Sequence, residues 1–199
     1  MNPRKPKEKT AIILIASPGG GKGTTVEGLT AEGYNVESLA FRKVMDEEER
    51  CESIAGLAIK SARAAGNLVP IEIMRTVVDI AFQRISSDSL VILDGIPRDR
   101  KQIDLALTGL EQHGFTRKIV LYLECNQIIA ACRIIMRGRD AMDLDPAIVA
   151  RRMEDFERLT MPVVRDFREH YDSYGVQFVH YNSNDLKYEF PNLLRILNL

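Results

Sequence analysis

Ala16-Ser-Pro-Gly-Gly-Gly-Lys-Gly-Thr-Thr25 follows the most apolar run of the chain, residues 11–16 (AIILIA), and opens a helical pattern over residues 22–31. A short apolar strand, a glycine-rich turn and a helix start, in that order, are the context that a phosphate-binding loop requires. Gly19, Gly20 and Gly21 let successive backbone N–H groups converge on phosphate oxygens, with Pro18 before them and Gly23 after. The helix N-terminus adds positive potential, and Lys22 can bridge the outer phosphates. Thr24 or Thr25 then supplies an oxygen near a magnesium ion. The stretch departs from G-x-x-x-x-G-K-[ST] at both ends, because Ala16 holds the first glycine position and Gly23 stands directly after the lysine. If that first position needs a positive φ, alanine there costs about 1 kcal/mol.

A second signal lies downstream in Ser89-Leu-Val-Ile-Leu-Asp-Gly-Ile-Pro-Arg98, an apolar run that ends in an acid. Alone, such an acid reads as a helix cap or turn residue. Beside a phosphate loop it reads as the Walker B carboxylate, placing Asp94 near magnesium. That ion is usually held by waters, one or two carboxylates and the substrate's phosphates, so no dedicated protein cage is required.

Further apolar segments at 89–93, 118–123 and 176–181, with a weaker one near 34–39, alternate with helical patterns at 53–65, 70–86, 100–112, 126–137, 145–171 and 184–197. This is an α/β rhythm, and continuous apolar runs predict parallel strands covered on both faces. Asp145 before Pro146 predicts a helix start, while Gly66, Gly114 and Gly175 stand where helices should stop. No repeat or interdomain linker interrupts the pattern.

The chain has 199 residues, 27 basic and 28 acidic side chains and 45% hydrophobic residues, which excludes a disordered chain and disfavours a generally basic nucleic-acid binder. Cys51, Cys125 and Cys132 are odd in number and lack C-x-x-C spacing, so neither a zinc site nor a disulfide framework is expected, and a reducing compartment fits best. No apolar run is long enough to span a bilayer, and the basic start MNPRKPKEKT, read as a solvated tail, has no apolar segment behind it. The chain therefore reads as cytoplasmic and free of membrane. His113, His170 and His180 lack metal-like or triad-like company and read as surface or packing residues. Glu47, Glu48 and Glu49 read as a solvated helix face.

The motifs together resemble the adenylate kinase, or nucleoside monophosphate kinase, family, whose loop G-x-P-G-x-G-K-G-T is matched by ASPGGGKGT. Ala65-Gly-Asn-Leu-Val-Pro70 resembles A-G-x-L-V-P, Asp94-Gly-Ile-Pro-Arg98 resembles D-G-F-P-R, and Gln102 follows at the family's interval. Cys132-Arg-Ile-Ile-Met-Arg-Gly-Arg-Asp140 resembles R-x-x-x-R-x-R, and Arg151-Arg-Met with Thr160-Met-Pro162 resembles the R-[LMI] and T-x-P helix. The resemblance implies a P-loop NTPase-type five-stranded parallel sheet with helices on both faces. It further implies a core of residues 10–37, 71–136 and 147–199, a helical monophosphate-binding insertion near 38–70 and a short lid near 137–146.

The resemblance also implies roles. Residues 19–25 surround the triphosphate of Mg-ATP, Arg133 lies against its adenine, and Arg137 lies on its phosphates. Lys22 stabilises the transferring group. Arg98 holds the acceptor monophosphate with Gly95 beside it, and Arg139 and Arg152 reach in from the lid side. Arg151 and Arg152 are adjacent on a helix, so only one can face the site, and the T-x-P spacing selects Arg152. Gln102 reads the acceptor base with backbone at Asn67, Leu68 and Val69, which favours AMP over UMP or CMP. Phosphoryl transfer explains the arginine density, since it asks for alignment and positive charge rather than covalent help. The family's T-G-D-x-x-R segment is replaced by residues 38–43 (SLAFRK), where Ser38 and Arg42 are the best matches and Lys43 is Arg42's neighbour. That departure leaves two alternatives: a nucleotide-binding regulatory module with altered acceptor binding, or a kinase for another monophosphate. A monomer is expected.

Overall fold

Every residue of β1 (Thr10–Ala16) is buried, which is why its sequence shows no polar alternation: helices cover both faces. A computed structural model describes residues 4–6, 8–51, 53–65, 67–86, 89–138 and 141–199, with the backbone alone at 141–142 and 187–188. After β1 come α1 (Lys22–Ala31), β2 (Val36–Ala40), α2 (Phe41–Arg50), α3 (Ile54–Ala64), α4 (Ile71–Phe82) and β3 (Leu90–Asp94). Next are α5 (Lys101–Gln112), β4 (Arg117–Glu124), α6 (Gln127–Arg137), α7 (Ala141–Leu144) and α8 (Pro146–Asp155). A π-helical turn (Phe156–Thr160), α9 (Met161–His170), β5 (Gln177–Asn182) and α10 (Leu186–Leu197) complete the chain.

The five strands form one parallel sheet in the order β2-β3-β1-β4-β5. One face packs Ala11, Ile13, Ile15, Val91 and Leu93 against Phe41, Val77, Phe82, Leu110 and Phe167. The other packs Ile12, Leu14, Ile92 and Leu121 against Leu29, Phe190, Leu193 and Leu197. Strand order reverses at β1, so the crevice beyond the carboxyl ends of β1 and β3 is the natural ligand position of this topology. The phosphate loop and Asp94 both open into it.

The structure differs from the sequence expectation in three elements. The pattern expected as one helix over 145–171 is three pieces. Pro162 cannot donate to a regular helical carbonyl and its ring would crowd the preceding turn; the wider π turn before it accommodates the proline. Residues 41–50 form α2, a helix within the stretch expected to be a helical insertion, whose apolar side is little more than Phe41, Val44 and partly buried Met45. β2 runs through Ala40, so residues 38–40 belong to the sheet and the helical excursion begins at Phe41. α4 ends at Phe82 rather than Ser86. Asp145 caps α8, accepting from Ala147 N at 2.8 Å, and Gly114 and Gly175 take positive φ; Gly66 lies outside the described residues. Among the described residues no helix is long and apolar enough to cross a membrane, and the three cysteines are free.

Candidate active site

The phosphate loop is shaped by two glycines that nothing else could replace. Gly19 and Gly21 have φ of 75° and 100°, and a Cβ on Gly19 would lie 2.2 Å from the Ala130 carbonyl oxygen. Gly20 N donates to Ser17 O at 2.9 Å, closing the turn. Ala16 is simply the last residue of β1, and Asn198 alone has a positive φ among described non-glycine residues. The conditional cost of alanine at this position therefore does not arise. Pro18 is half-buried and Gly23 exposed at the loop's flanks. The Thr25 hydroxyl is spent on Gly21 O at 3.1 Å, whereas Thr24, half-buried in the first turn, has no side-chain hydrogen bond among the described residues.

Lys22 Nζ lies 3.8 Å from Asp94 Oδ1 and 3.4 Å from Ala16 O. Gly95, with φ 95°, turns the chain so that Arg98 Nε donates to Gly95 O at 3.2 Å. Gln102, 4% exposed, accepts from Arg98 N through its side-chain oxygen at 2.9 Å, and its own N–H donates to Asp99 Oδ1 at 3.1 Å. Arg98 and Gln102 thus form one rigid corner.

Burial pushes the Lys22 ammonium below its ordinary value; Asp94 opposes the shift, while Arg98, Arg152 and Arg137 add to it. Desolvation by the surrounding protein likewise lowers Arg98, whose side chain keeps an exposed surface, again opposed by Asp94 and reinforced by Arg42, Arg63 and Arg152. Residues from α1, α2, α3, α6, α8 and the loop after β3 therefore share one positive field around Lys22 and Arg98, with Asp94 opposing it. A multiply charged anion would relieve that repulsion.

Arg137 and Arg152 meet at Asp143. Arg137 donates through Nε and Nη2 to Asp143 Oδ2 at 3.1 and 2.7 Å, and Arg152 Nη1 donates to Oδ1 at 2.9 Å. Arg151 is exposed instead. The Asp143 side chain is 3% exposed. Arg139 lies outside the described residues. Arg133 spreads its guanidinium over the carbonyls after β5, with Nη1 and Nη2 each 3.1 Å from Ser183 O and a further bond to Asn184 O.

Arg42 and Lys43 are exposed in the first turn of α2, and Asn67, Leu68 and Val69 join α3 to α4. Ser38 stands inside β2, level with Ile92 and two residues short of the strand end at Ala40, so it is not brought to the crevice rim. The acids of α2 lie on a partly exposed helix face and are also paired: Glu47 pairs with Arg84 and Glu49 with Arg63, each at 2.6 Å, and Glu48 accepts from Ser53 at 2.9 Å. His113 stacks on Phe82, and His180 stacks on Tyr122 and pairs with Glu124.

Sequence reasoning missed Asp143, Arg63 and Ser183. None belongs to a local motif; each matters through partners distant in the chain. Asp94 with the Thr24 hydroxyl is a sparse, all-oxygen donor set, and no group of three potential metal ligands occurs among the described residues. Such a set fits magnesium carried in on phosphate oxygens and waters.

A family model described as adenylate kinase matches residues 14–172. An adenylate kinase of Synechococcus sp. is 30% identical over 161 residues, covering 79% of this chain and 82% of that one. One from Oenococcus oeni is 26% identical over 94% of this chain and 97% of its own length. Human adenylate kinase isoenzyme 5 is 30% identical over 77% of this chain, which is 27% of that longer protein. A glycine loop, a strand-end carboxylate and converging arginines on a five-stranded parallel sheet, together with these matches, mean that the chain belongs to the adenylate kinase family, as a phosphotransferase acting between ATP and a nucleoside monophosphate.

Proposed function

We propose that the acceptor is AMP and that the products are two molecules of ADP. The observation that carries this reading is the Arg98–Gln102 corner, where a cation for the acceptor phosphate and a buried amide are locked together through Arg98 N. An amide side chain suits adenine, which offers a donor and an acceptor on adjacent edge positions. In this assignment residues 18–25 cradle the donor triphosphate, and Lys22 with Arg137 holds the transferring phosphoryl group. Arg98, with Arg42 and Arg152, holds the acceptor phosphate. Arg139 joins from the lid, Arg133 flanks the donor base, and Gly95, Asn67, Leu68 and Val69 line the acceptor. Ser38 is the weakest member, since β2 holds it in the sheet.

Magnesium, bound to the donor phosphates beside Asp94 and Thr24, would supply positive charge against the phosphate oxygens. The chain's own part is alignment and charge: the arginines orient two polyanions end to end, and their planar, permanently charged forks suit phosphate. The acceptor phosphate is already anionic, so no general base is needed. The insertion near 38–70 and the lid near 137–146 would close over the substrates and exclude the water that would otherwise hydrolyse ATP.

A coupled assay with ATP and each of AMP, GMP, CMP, UMP and dTMP tests the reading: AMP should give the highest kcat/KM, and a preference for any other monophosphate overturns it. A regulatory-module reading is favoured by one feature, the loss of the glycine and aspartate of the family's acceptor segment at residues 38–43. Calorimetry separates the two, because a module would bind ATP while binding none of the monophosphates.

A further inference from the structure

Ser183, the first residue after β5, is wholly buried and reaches the phosphate loop from 163 residues away. Its hydroxyl lies 3.0 Å from Gly20 O and 2.9 Å from Glu124 O. Glu124 O already receives the Ser183 N–H at 2.8 Å, whereas Gly20 O has no other donor among the described residues. The single hydroxyl proton therefore matters most at Gly20. Gly20 is itself buried, so without that proton its carbonyl would be left unpaired away from water.

The peptide unit joining Gly20 to Gly21 is planar and trans, so its C=O and N–H point in opposite directions. Holding the carbonyl on Ser183 aims the Gly21 N–H away from β5, and that N–H has no acceptor among the described residues. The serine is itself clamped: both terminal nitrogens of Arg133 donate to its carbonyl oxygen at 3.1 Å. Flanking glycines leave this peptide free to rotate unless something fixes it, since Gly21 sits at a φ open to glycine.

We propose that Ser183 is a positioning residue for the donor nucleotide, fixing the Gly20–Gly21 peptide so that its N–H is offered to a phosphate oxygen. The proposal rests on the assignment of residues 18–25 to the donor triphosphate. It requires a specific asymmetry, because the acceptor corner at Arg98 and Gln102 shares no bond with Ser183. In the full-length Ser183→Ala protein, the ATP dissociation constant by calorimetry and the ATP KM should each rise about 5- to 10-fold. The acceptor KM and kcat should stay within about twofold. If the alanine variant does not fold, Ser183→Cys, which retains a side-chain volume but donates only weakly, should show the same split. An unchanged ATP dissociation constant in a folded variant overturns the proposal, as does an equal rise in both KM values. If the unaltered protein binds no ATP, the donor-loop assignment itself fails, an outcome distinct from intact ATP binding that is indifferent to Ser183.

Discussion

Lys22 is held as a cation in a place that disfavours cations. Burial lowers its proton affinity from the ordinary 10.5, Asp94 opposes the shift, and Arg98, Arg152 and Arg137 reinforce it. The charged lysine thus opposes folding wherever both folded and unfolded forms are protonated. That opposition fades as pH rises from the folded-state value towards 10.5, because there the unfolded chain binds the extra proton. Lys22→Met should therefore melt at or above the unaltered protein near pH 7, by an advantage that narrows towards about pH 10, while turnover falls on the order of 10² to 10³-fold. A clearly lower melting temperature at neutral pH would contradict the desolvated-cation account. Asp143 makes the converse case, a buried acid between two arginines from different helices. Asp143→Asn should cost about 1–3 kcal/mol in urea unfolding, less than a fully buried pair because both arginines keep about a third of their exposure; no loss would show the pairing to be incidental. Lys22 and Asp94 could be read from sequence because one closes the short loop after β1 and the other ends β3. Asp143 could not, since its carboxylate matters through Arg137 and Arg152, six and nine residues away, which converge on it in the folded chain.

At the level of elements, α1 and α10 meet through an absent side chain. A Cβ on Gly28 would lie 2.5 Å from the Phe190 ring, so the glycine makes room for the aromatic residue that closes the second core. Replacing a mid-helix glycine by alanine normally gains about 1 kcal/mol of helix propensity, but overpacking a filled core costs about 1–3 kcal/mol. Gly28→Ala should consequently lower the melting temperature; a rise would mean that Phe190 can swing aside freely. The segment over 145–171 shows where periodicity misleads. Apolar spacing persists through it, yet Pro162 forces a wide turn that the spacing does not record. α2 was legible only as a solvated helix face, because a short apolar side followed by acids does not show that Arg63, Arg84 and Ser53 meet those acids.

For the whole molecule, reversal of strand order at β1 gathers residues from both halves of the chain beyond the carboxyl ends of the central strands. Arg137 stands on α6 beside the lid, tied to Asp143. In the proposed assignment Arg137 reaches the transferring phosphoryl group from the lid, so Arg137→Ala should lower kcat at least about tenfold with an unaltered circular dichroism spectrum; an unchanged rate would overturn that assignment. The number and parallel arrangement of strands, the phosphate loop and its carboxylate were determined by sequence alone, because each rests on a short run of neighbours: hydrophobic continuity, glycine freedom and an acid at a strand end. Tertiary structure alone decided which arginine of an adjacent pair turns inward, which threonine hydroxyl is already spent, and that Ser183 braces the loop. These are matters of through-space distance between residues far apart in the chain, and a linear order of side chains does not encode such distances until the sheet has brought them together.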